Sequence, residues 1–321
     1  MSKKTILVTG ASGFVGHALV QSLCKKGYHV RATVRSESAA ARIRDLPHAN
    51  KPTVFNLGEL NDRTHWDDAL HACDTVIHCA ARAHILGETS RDPLSTYRQI
   101  NTCATEHLAH AAHLHGVKRF IFLSSIGVLG NNSGNTPFTD DSTPNPQSPY
   151  AETKWEAEQG LLALPTAMDR IIIRPPVIYG PGVKGNFARL IDVVHRQRPL
   201  PFGAIHNRRQ FIGLSNMVDF ILTCIESEHL INETFLIADK EVLTTTQMLQ
   251  CIASAMEKKS MLLRIPHPLL AWAFKLIGQS KLAGQLLGNL EIQSNKAQTL
   301  LGWEPPYSLE EQMQALFSRP V

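Results

Sequence analysis

The stretch TILVTGASGFVG, residues 5–16, decides the fold of this chain. It opens with a short apolar run that ends in glycine, which predicts a buried β-strand. Gly10, Gly13 and Gly16 follow at intervals of three, and apolar residues then recur with helical spacing through residues 15–24. This order of strand, glycine turn and helix predicts a turn that holds a pyrophosphate at the helix N-terminus. The spacing is GxxGxxG and not GxGxxG, so a purely structural strand-to-helix turn is the alternative.

The same rhythm of strand and helix continues downstream of this turn. Further apolar strands are predicted at residues 28–34, 75–81, 119–125, 170–180 and 233–239, and Pro175 and Pro176 are expected to break the one at 170–180. A helical stretch at residues 92–116 connects two of them. Strands that alternate with helices predict an α/β fold, a doubly wound parallel sheet of the Rossmann type. Beyond Tyr179 the pattern loosens, which predicts a smaller and mostly helical C-terminal lobe.

We expect these two parts to interrupt each other along the chain. Residues 1–175 are predicted to form the Rossmann domain, and a segment at about 205–240 is predicted to return to it. Residues 176–204 and 241–321 are predicted to form the C-terminal lobe. Within that lobe, the sequences TTTQ and SLEE are typical of capping boxes that open helices.

Composition and charge narrow the classes of protein. With 321 residues, 43% of them hydrophobic, the chain can bury a large core. The net charge of +4 is mild and no dense basic run occurs, so a nucleic-acid partner is not expected. The most apolar stretch, residues 268–278, is about half the length that spans a bilayer and contains Lys275, so membrane insertion is not expected. The N-terminus is not typical of a signal peptide, and a cytoplasmic location is predicted.

Metal binding is not predicted either. The six cysteines form no CxxC pair, and the 15 histidines include no HExxH sequence. The histidines of HLAHAAHLH, residues 107–115, are interpreted as residues on the solvent side of a helix.

The end of the second predicted strand bears on the identity of the cofactor. Arg35 lies 19 residues after Gly16, where dinucleotide-binding chains carry an acid for a ribose 2′-hydroxyl or an arginine for a 2′-phosphate. A guanidinium binds a phosphate through paired hydrogen bonds, whereas an acid repels it. We therefore favour NADP(H). NAD(H) is the alternative, because Glu37 is near and Arg35 could be an ordinary surface residue; the face of Arg31 is not assigned.

The sequence YAETK places Tyr150 and Lys154 four residues apart, on one face of a predicted helix. A neighbouring ammonium stabilises a phenolate, so we expect the pKa of Tyr150 to be lowered. Such a tyrosine can move a proton on and off a carbinol oxygen. Ser125, at the end of a predicted strand, can hydrogen-bond the same oxygen.

Several stretches together resemble those of one known family. They are TGASGFVG, LGEL, VIHCAA, INTCATEHL, FLSS, YAETK, RPPVIYGPG, RRQFIGL and LGWEPPYSLEE. Over nearly its whole length the chain resembles the extended short-chain dehydrogenase/reductases, in the NAD-dependent epimerase/dehydratase branch that includes nucleotide-sugar 4-epimerases and 4-ketoreductases. The resemblance implies that the C-terminal lobe binds the substrate.

The resemblance also implies roles for individual residues. Those that it implies for the cofactor site, beside Arg35, are Gly10, Gly13, Phe14, Val15, Gly16, Glu59, Leu60, Ala80, Ala81, Asn101, Tyr150 and Lys154. Glu59 stands where the family usually has aspartate, and it borders the adenine with Leu60. The implied catalytic residues are Ser125, Tyr150 and Lys154, and the implied substrate contacts are Ser125, Tyr150, Asn186 and Arg209. Arg209 is matched to an arginine that binds the substrate diphosphate, with Arg208 as the alternative.

The expected reaction is hydride transfer at C4 of a nucleotide-activated sugar, with UDP as the expected nucleotide and Tyr150 as proton donor and acceptor. Net reduction of a 4-keto sugar is favoured, because Arg35 suits NADPH. The alternative is a UDP-sugar 4-epimerase that retains NAD. Remoter alternatives are a lipid-diphosphate sugar as substrate, an NADPH-dependent ketone or aldehyde reductase, and a non-catalytic dinucleotide sensor. Similarity also predicts a homodimer formed through helices around residues 93–115 and 150–163.

Overall fold

The computed structural model describes residues 3–83, 92–228 and 230–317, with only the backbone at residues 280 and 281. Its strands are β1 (Thr5–Thr9), β2 (His29–Val34), β3 (Thr53–Asn56), β4 (Thr75–His78), β5 (Arg119–Leu123), β6 (Asp169–Arg174), β7 (Val177–Tyr179), β8 (Phe211–Gly213) and β9 (Glu233–Leu236). Seven of them form one parallel sheet in the order β3-β2-β1-β4-β5-β6-β9, and β7 pairs with β8 in a second sheet. The predicted doubly wound parallel sheet is therefore confirmed.

The helices flank this sheet and make up most of the C-terminal part. They are α1 (Phe14–Lys25), α2 (Glu37–Arg44), α3 (Asp67–Leu70), α4 (Pro93–Arg98), α5 (Ala104–Leu114), α6 (Pro149–Ala163), α7 (Gly185–His195), α8 (Leu214–Glu226), α9 (Thr245–Ala255), α10 (His267–Leu276), α11 (Ser280–Leu287), α12 (Lys296–Leu301) and α13 (Leu309–Phe317). A π-helix joins α4 to α5 at Gln99–Cys103, and a 3₁₀ turn follows β5 at Ile126–Val128. Among the described residues, no helix combines the length and the apolar character needed to cross a bilayer.

The strand order fixes where a ligand can bind. The order reverses between β1 and β4, whose last residues, Thr9 and His78, are neighbours in register. In open parallel sheets the loops at the carboxyl ends of such a strand pair diverge and leave a crevice. The glycine turn and the loop after β4 therefore border this crevice.

Apolar side chains cover both faces of the sheet, because successive residues of a strand point to opposite sides. Ile6 of β1 and Ile121 of β5 pack on the side of α1 and α8, whereas their neighbours Leu7 and Phe120 pack on the side of α5 and α6. A third cluster fills the C-terminal part and includes Phe187, Leu249, Ile252, Leu270 and Met313.

Two local features differ from the sequence-based expectation. The helix expected at residues 92–116 contains the π-helix. As expected, the strand at 170–180 is broken at Pro175 and Pro176, and its two parts, β6 and β7, belong to different sheets. The strand β3 was not predicted, since its four residues, TVFN, are too short to show a pattern. The capping box expected at Thr244 is present, with reciprocal hydrogen bonds to Gln247.

Candidate active site

The glycine turn brings the ends of β1 and β4 into backbone contact with α1. Gly10 has a positive φ of 64°, and a Cβ atom at this position would lie 2.8 Å from the backbone N and Cα of Ala80. A Cβ atom at Gly16 would clash with the carbonyl oxygen of Gly10. Gly13 precedes Phe14 and Val15 at the start of α1 and provides no side-chain cap. The first-turn N–H groups of α1 therefore have no capping side chain, and the turn fits the pyrophosphate of a dinucleotide.

Arg35 lies just past β2, as the sequence predicted, and is exposed. The neighbouring acid, Glu37, forms an ion pair with Arg44 on α2. Arg31 lies elsewhere, with its guanidinium 5.7 Å from the ring centroid of Phe55. Of the two arginines, Arg35 is therefore the one that lies at the carboxyl end of β2.

A cavity of about 720 Å³ lies at the carboxyl end of β3. Glu59 lines it and Leu60 is buried beside it, in the stretch that the sequence matched to an adenine border. Its other lining residues include Asn56, Thr64 and Gln99.

The π-helix buries Asn101 completely beneath the loop that follows β4. Its side-chain oxygen accepts a hydrogen bond from the N–H of Arg82 at 2.8 Å, and its amide donates to the carbonyl of Arg82 at 3.1 Å. The same amide donates to the hydroxyl of Thr153 on α6 at 3.2 Å. Asn101 thus holds the segment of Ala80 and Ala81 against α6.

A buried hydrogen-bond chain through His78 was missed by the sequence analysis. Thr105 donates its hydroxyl proton to the carbonyl of Asn101 at 2.7 Å, so Nε2 of His78 must donate to Thr105, 2.9 Å away. Nδ1 of His78 then accepts from the hydroxyl of Thr9 at 2.7 Å, and that hydroxyl accepts from the N–H of Ala80 at 3.2 Å. Burial lowers the pKa of His78 to about 3, and the charge of Lys154 acts in the same direction. This histidine is neutral, and its tautomer is set by its neighbours.

Tyr150 and Lys154 occupy the first turns of α6, which Ser148 caps through the N–H of Ala151. Lys154 is only 1% exposed, and its Nζ lies 4.1 Å from the ring centroid of Phe122 on β5. Burial lowers the pKa of Lys154 to about 7.

The expectation of a lowered phenol pKa is wrong for this structure. Burial, together with the nearby Tyr97, raises the pKa of Tyr150 to about 12. Burial disfavours the charged phenolate, and this loss of hydration is the largest cause of the shift. Tyr150 is therefore a protonated donor at neutral pH.

The two adjacent serines after β5 have different partners. Ser124 is buried and donates to Glu158, whose carboxylate is completely buried and pairs with Arg174. Ser125 is half-buried and accepts a hydrogen bond from the N–H of Gly127 at 3.1 Å. A Cβ atom at Gly127 would lie 3.5 Å from that of Ala151, so this turn packs on the start of α6. The structure thus brings Ser125 and Asn101 to elements that pack on α6, the helix that contains Lys154.

Arg209 and Asn186 lie on other elements, in the C-terminal part. Arg209 is 6% exposed and donates to the carbonyl of Gly288 at 3.0 Å. Its pKa is lowered to about 10, and burial alone accounts for this. Arg208 differs, because it is exposed and makes two hydrogen bonds of 2.6 Å to Glu291. Asn186 is exposed at the start of α7 and donates to Gln285 at 3.0 Å.

A doubly wound parallel sheet with this glycine turn, and a tyrosine–lysine pair on the helix after β5, defines an enzyme of the extended short-chain dehydrogenase/reductase class. The family model described as "NAD dependent epimerase/dehydratase family" matches residues 6–238. The chain belongs to that family.

Similarity to two named proteins extends over most of the chain. A UDP-glucose 4-epimerase of Vibrio cholerae is 37% identical over 316 residues, which cover 96% of this chain and 93% of that protein. The N-acetyl-alpha-D-glucosaminyl-diphospho-ditrans,octacis-undecaprenol 4-epimerase of Escherichia coli O157:H7 is 28% identical over 82% of this chain and 76% of its own length.

A solved structure has the same fold as this chain. The UDP-glucuronic acid 4-epimerase of Bacillus cereus in complex with NAD is 23% identical, with a TM-score of 0.78 over 97% of this chain and 96% of that one. The description of the matching family names NAD, and the preference for NADP(H) that we expected from Arg35 finds no support in it. The two named relatives favour the 4-epimerase alternative over the expected 4-ketoreductase.

Proposed function

We propose that the protein is a UDP-sugar 4-epimerase that retains NAD through both half-reactions. The observation that carries this proposal is the similarity to a UDP-glucose 4-epimerase, at 37% identity over 96% of the chain. An epimerase oxidises C4 of the sugar and then reduces the 4-keto sugar on its opposite face, so it consumes no net cofactor. NAD, when bound, supplies the acceptance and the return of the hydride.

In this proposal Tyr150 and Ser125 act on the C4 oxygen of the sugar. Tyr150 takes the hydroxyl proton in the oxidation half and returns it in the reduction half. Ser125 hydrogen-bonds the same oxygen, because its Oγ is already oriented by the N–H of Gly127 and its own proton can be donated. Ser124 does not fit this role, since its hydroxyl already donates a hydrogen bond to Glu158.

The raised pKa of Tyr150 favours the protonated phenol, which the reduction half requires. The oxidation half requires the phenolate, so the pKa of Tyr150 has to fall when the site is filled. Lys154 follows four residues later on the same helix face and is the cation that can lower it. With a pKa near 7, Lys154 itself changes charge close to neutral pH.

The residues that would hold NAD are those around the glycine turn and the loop after β4. The N–H groups of Phe14 and Val15 at the start of α1 suit the pyrophosphate, and Asn101 keeps the strand-end loop in place beside it. Arg35 is exposed, and its guanidinium can hydrogen-bond a ribose 2′-hydroxyl without any phosphate being present.

Arg209 is proposed to bind the diphosphate of the sugar nucleotide. The guanidinium of Arg209 is 6% exposed and its pKa is shifted by burial alone, so no carboxylate among the described residues balances its charge. A buried charge of this kind is costly unless an anion pairs with it, and a diphosphate supplies two. Arg208 does not fit the role, because Glu291 already pairs with it.

A homodimer through α4, α5 and α6 remains part of the proposal. Leu114 at the end of α5 is 71% exposed and Leu162 on α6 is 41% exposed, which a second copy of this surface would cover. Sedimentation equilibrium measures the mass independently of shape, and a monomer at micromolar concentration would rule the dimer out.

The test of function is conversion of UDP-glucose to UDP-galactose, and of UDP-N-acetylglucosamine to its 4-epimer, without added cofactor. We expect an equilibrium mixture of epimers by NMR, and release of NAD when the protein is denatured. Tyr150→Phe provides the control that retains the fold without the phenol. Stoichiometric oxidation of NADPH by a 4-keto sugar, with no interconversion of epimers, would overturn the proposal.

A further inference from the structure

Helix α10 is apolar on both of its long faces. Leu270 is 5% exposed and packs in the C-terminal core, together with Ala271 and Phe274. On the opposite side, Leu269, Trp272, Ala273 and Leu276 follow the spacing i, i+3, i+4 and i+7, and all four are exposed. We call these four residues the outer face of α10. Helices that are hydrophobic all round are normally covered on every side.

Large exposed apolar side chains are concentrated around this helix. Of the twelve such residues in the described part of the chain, six fall between positions 261 and 277. They are Met261 (49% exposed), Leu263 (53%), Leu269 (52%), Trp272 (59%), Leu276 (65%) and Ile277 (67%). Single exposed apolar residues need no explanation, but a group of this size marks an interaction surface.

The charges of the same segment have one sign. The chain contains 28 acidic residues, yet none lies between Lys258 and Leu290. This segment contains five basic residues, which are Lys258, Lys259, Arg264, Lys275 and Lys281. Lys275 adjoins Leu276 at the border of the outer face, and Lys259 and Arg264 are exposed beside Met261 and Leu263. An apolar strip bordered by cations is complementary to a surface with anionic head groups over an apolar interior.

This segment is joined directly to the candidate substrate site. Helix α11 packs against α10 and is followed directly by Gly288, whose carbonyl oxygen accepts the hydrogen bond from Arg209. Gln285 of α11 accepts a hydrogen bond from Asn186 at the start of α7. Contacts made by α10 are therefore made next to the residues proposed for the sugar nucleotide.

We propose that the outer face of α10, with Met261 and Leu263, docks the protein on the surface of an anionic phospholipid bilayer. The helix lies in the interface and does not span the bilayer, since it has ten residues. Apolar side chains enter the boundary between head groups and acyl chains, and Lys259, Arg264 and Lys275 contact lipid phosphates. The substrate site is thereby held at the membrane surface.

Vesicle sedimentation tests the proposal with the intact protein. We expect binding to vesicles of phosphatidylcholine and phosphatidylglycerol (3:1), weak binding to phosphatidylcholine alone, and release by high salt. Lys275→Gln should weaken binding about fivefold, because a basic residue near an anionic surface contributes about that factor. Leu276→Ser should weaken it at least ~10-fold, because its side chain loses the apolar environment.

Ile231→Ser is the matched control, since Ile231 is 64% exposed but lies outside this segment. It should bind vesicles like the wild type. Leu276→Ser should retain the wild-type circular dichroism and the wild-type turnover of UDP-glucose, so a lost interaction is not confused with a lost fold or a wrong function. Failure to bind either vesicle, or equal binding to both, would overturn the proposal.

Trp272 provides a second, local measurement. Trp66 and Trp303 are 2% and 8% exposed, and Trp155 is half-buried beside Arg174, so Trp272 is the tryptophan that lipid can reach. Its emission should shift to shorter wavelength on the anionic vesicles and be quenched by brominated acyl chains. The proposal is overturned if sedimentation without lipid shows an oligomer that Leu276→Ser dissociates, because a second copy would then cover the face.

Discussion

Protonation of His78 is expected to make the stability of the protein depend on pH in a way that one variant removes. His78 is completely buried, and its two ring nitrogens are used by Thr9 and Thr105. Burial in the folded protein lowers the pKa of His78 from 6.5 to about 3. Between these two pH values the unfolded chain binds a proton at His78 and the folded chain does not. Stability from this group is complete above pH 6.5 and is lost as the pH falls toward 3.

The size of the effect follows from these two pKa values. Each pH unit in this window changes the free energy of unfolding by about 1.4 kcal/mol per proton. Between pH 7 and pH 5 His78 should therefore destabilise the protein by about 2 kcal/mol. Asp239 acts in the opposite sense, because burial raises its pKa from 3.8 to about 6 and the folded protein gains its proton first. Only the difference between two variants isolates His78.

The assay is urea unfolding of the wild type and His78→Gln at pH 7.0 and pH 5.0. Glutamine retains an amide donor for Thr105 and leaves Thr9 without its acceptor, so the variant should be about 1–3 kcal/mol less stable at pH 7. At pH 5 this deficit should shrink by about 2 kcal/mol, because the variant has no imidazole that must lose a proton on folding. His110→Gln, the same change at an exposed position of α5, should follow the wild type at both values. A deficit of His78→Gln that is equal at both pH values would refute the reasoning.

Three further outcomes are expected. Tyr150→Phe should lower kcat at least ~100-fold and still release bound NAD on denaturation, because loss of an acid–base group costs about that factor; near-normal turnover would contradict its role. Arg209→Gln should weaken UDP binding by calorimetry at least ~10-fold, whereas Arg208→Gln should leave it within about twofold; equal effects would assign the diphosphate elsewhere. Glu158→Gln should cost about 3–5 kcal/mol in urea unfolding, because it leaves the Arg174 charge buried and unpaired, and a loss below about 1 kcal/mol would argue against the buried pair.

The sequence was sufficient for features whose cause is local. Patterns that involve only neighbours within a few residues can be recognised in a sequence. They include the apolar runs of the strands, the glycines of the turn after β1, and the spacing of Tyr150 and Lys154. The sheet they predicted is the one observed. The division of the chain into two lobes and the roles assigned to individual site residues stay predictions.

Features that depend on distant partners could not be predicted in the same way. The chain has 15 histidines, and the residues adjacent to His78 do not indicate its hydrogen bond to Thr105 on another element. Glu158 pairs with Arg174, which lies 16 residues further along the chain on another element, so no local pattern indicates the pair. The pKa of Tyr150 was predicted in the wrong direction because a sequence shows the neighbouring lysine but not the burial that both share.

The preference for NADP(H) lacks support for a related reason. The position of Arg35 at the end of β2 was predicted correctly, but one exposed guanidinium is compatible with a ribose hydroxyl as well as with a phosphate. The prediction of a reductase rested on that residue alone, and it lost its support together with NADP(H).

The position of β9 at the edge of the sheet has a consequence for biosynthesis. β6 ends at Arg174 and β9 begins at Glu233, so roughly 60 residues must leave the ribosome between the sixth strand of the sheet and the seventh. At synthesis rates of about 5–20 residues per second, this interval lasts about 3–12 s. Throughout it the edge of β6 exposes unpaired backbone groups to other nascent chains. Chains that terminate before β9 keep this open edge permanently, and aggregation is their expected fate.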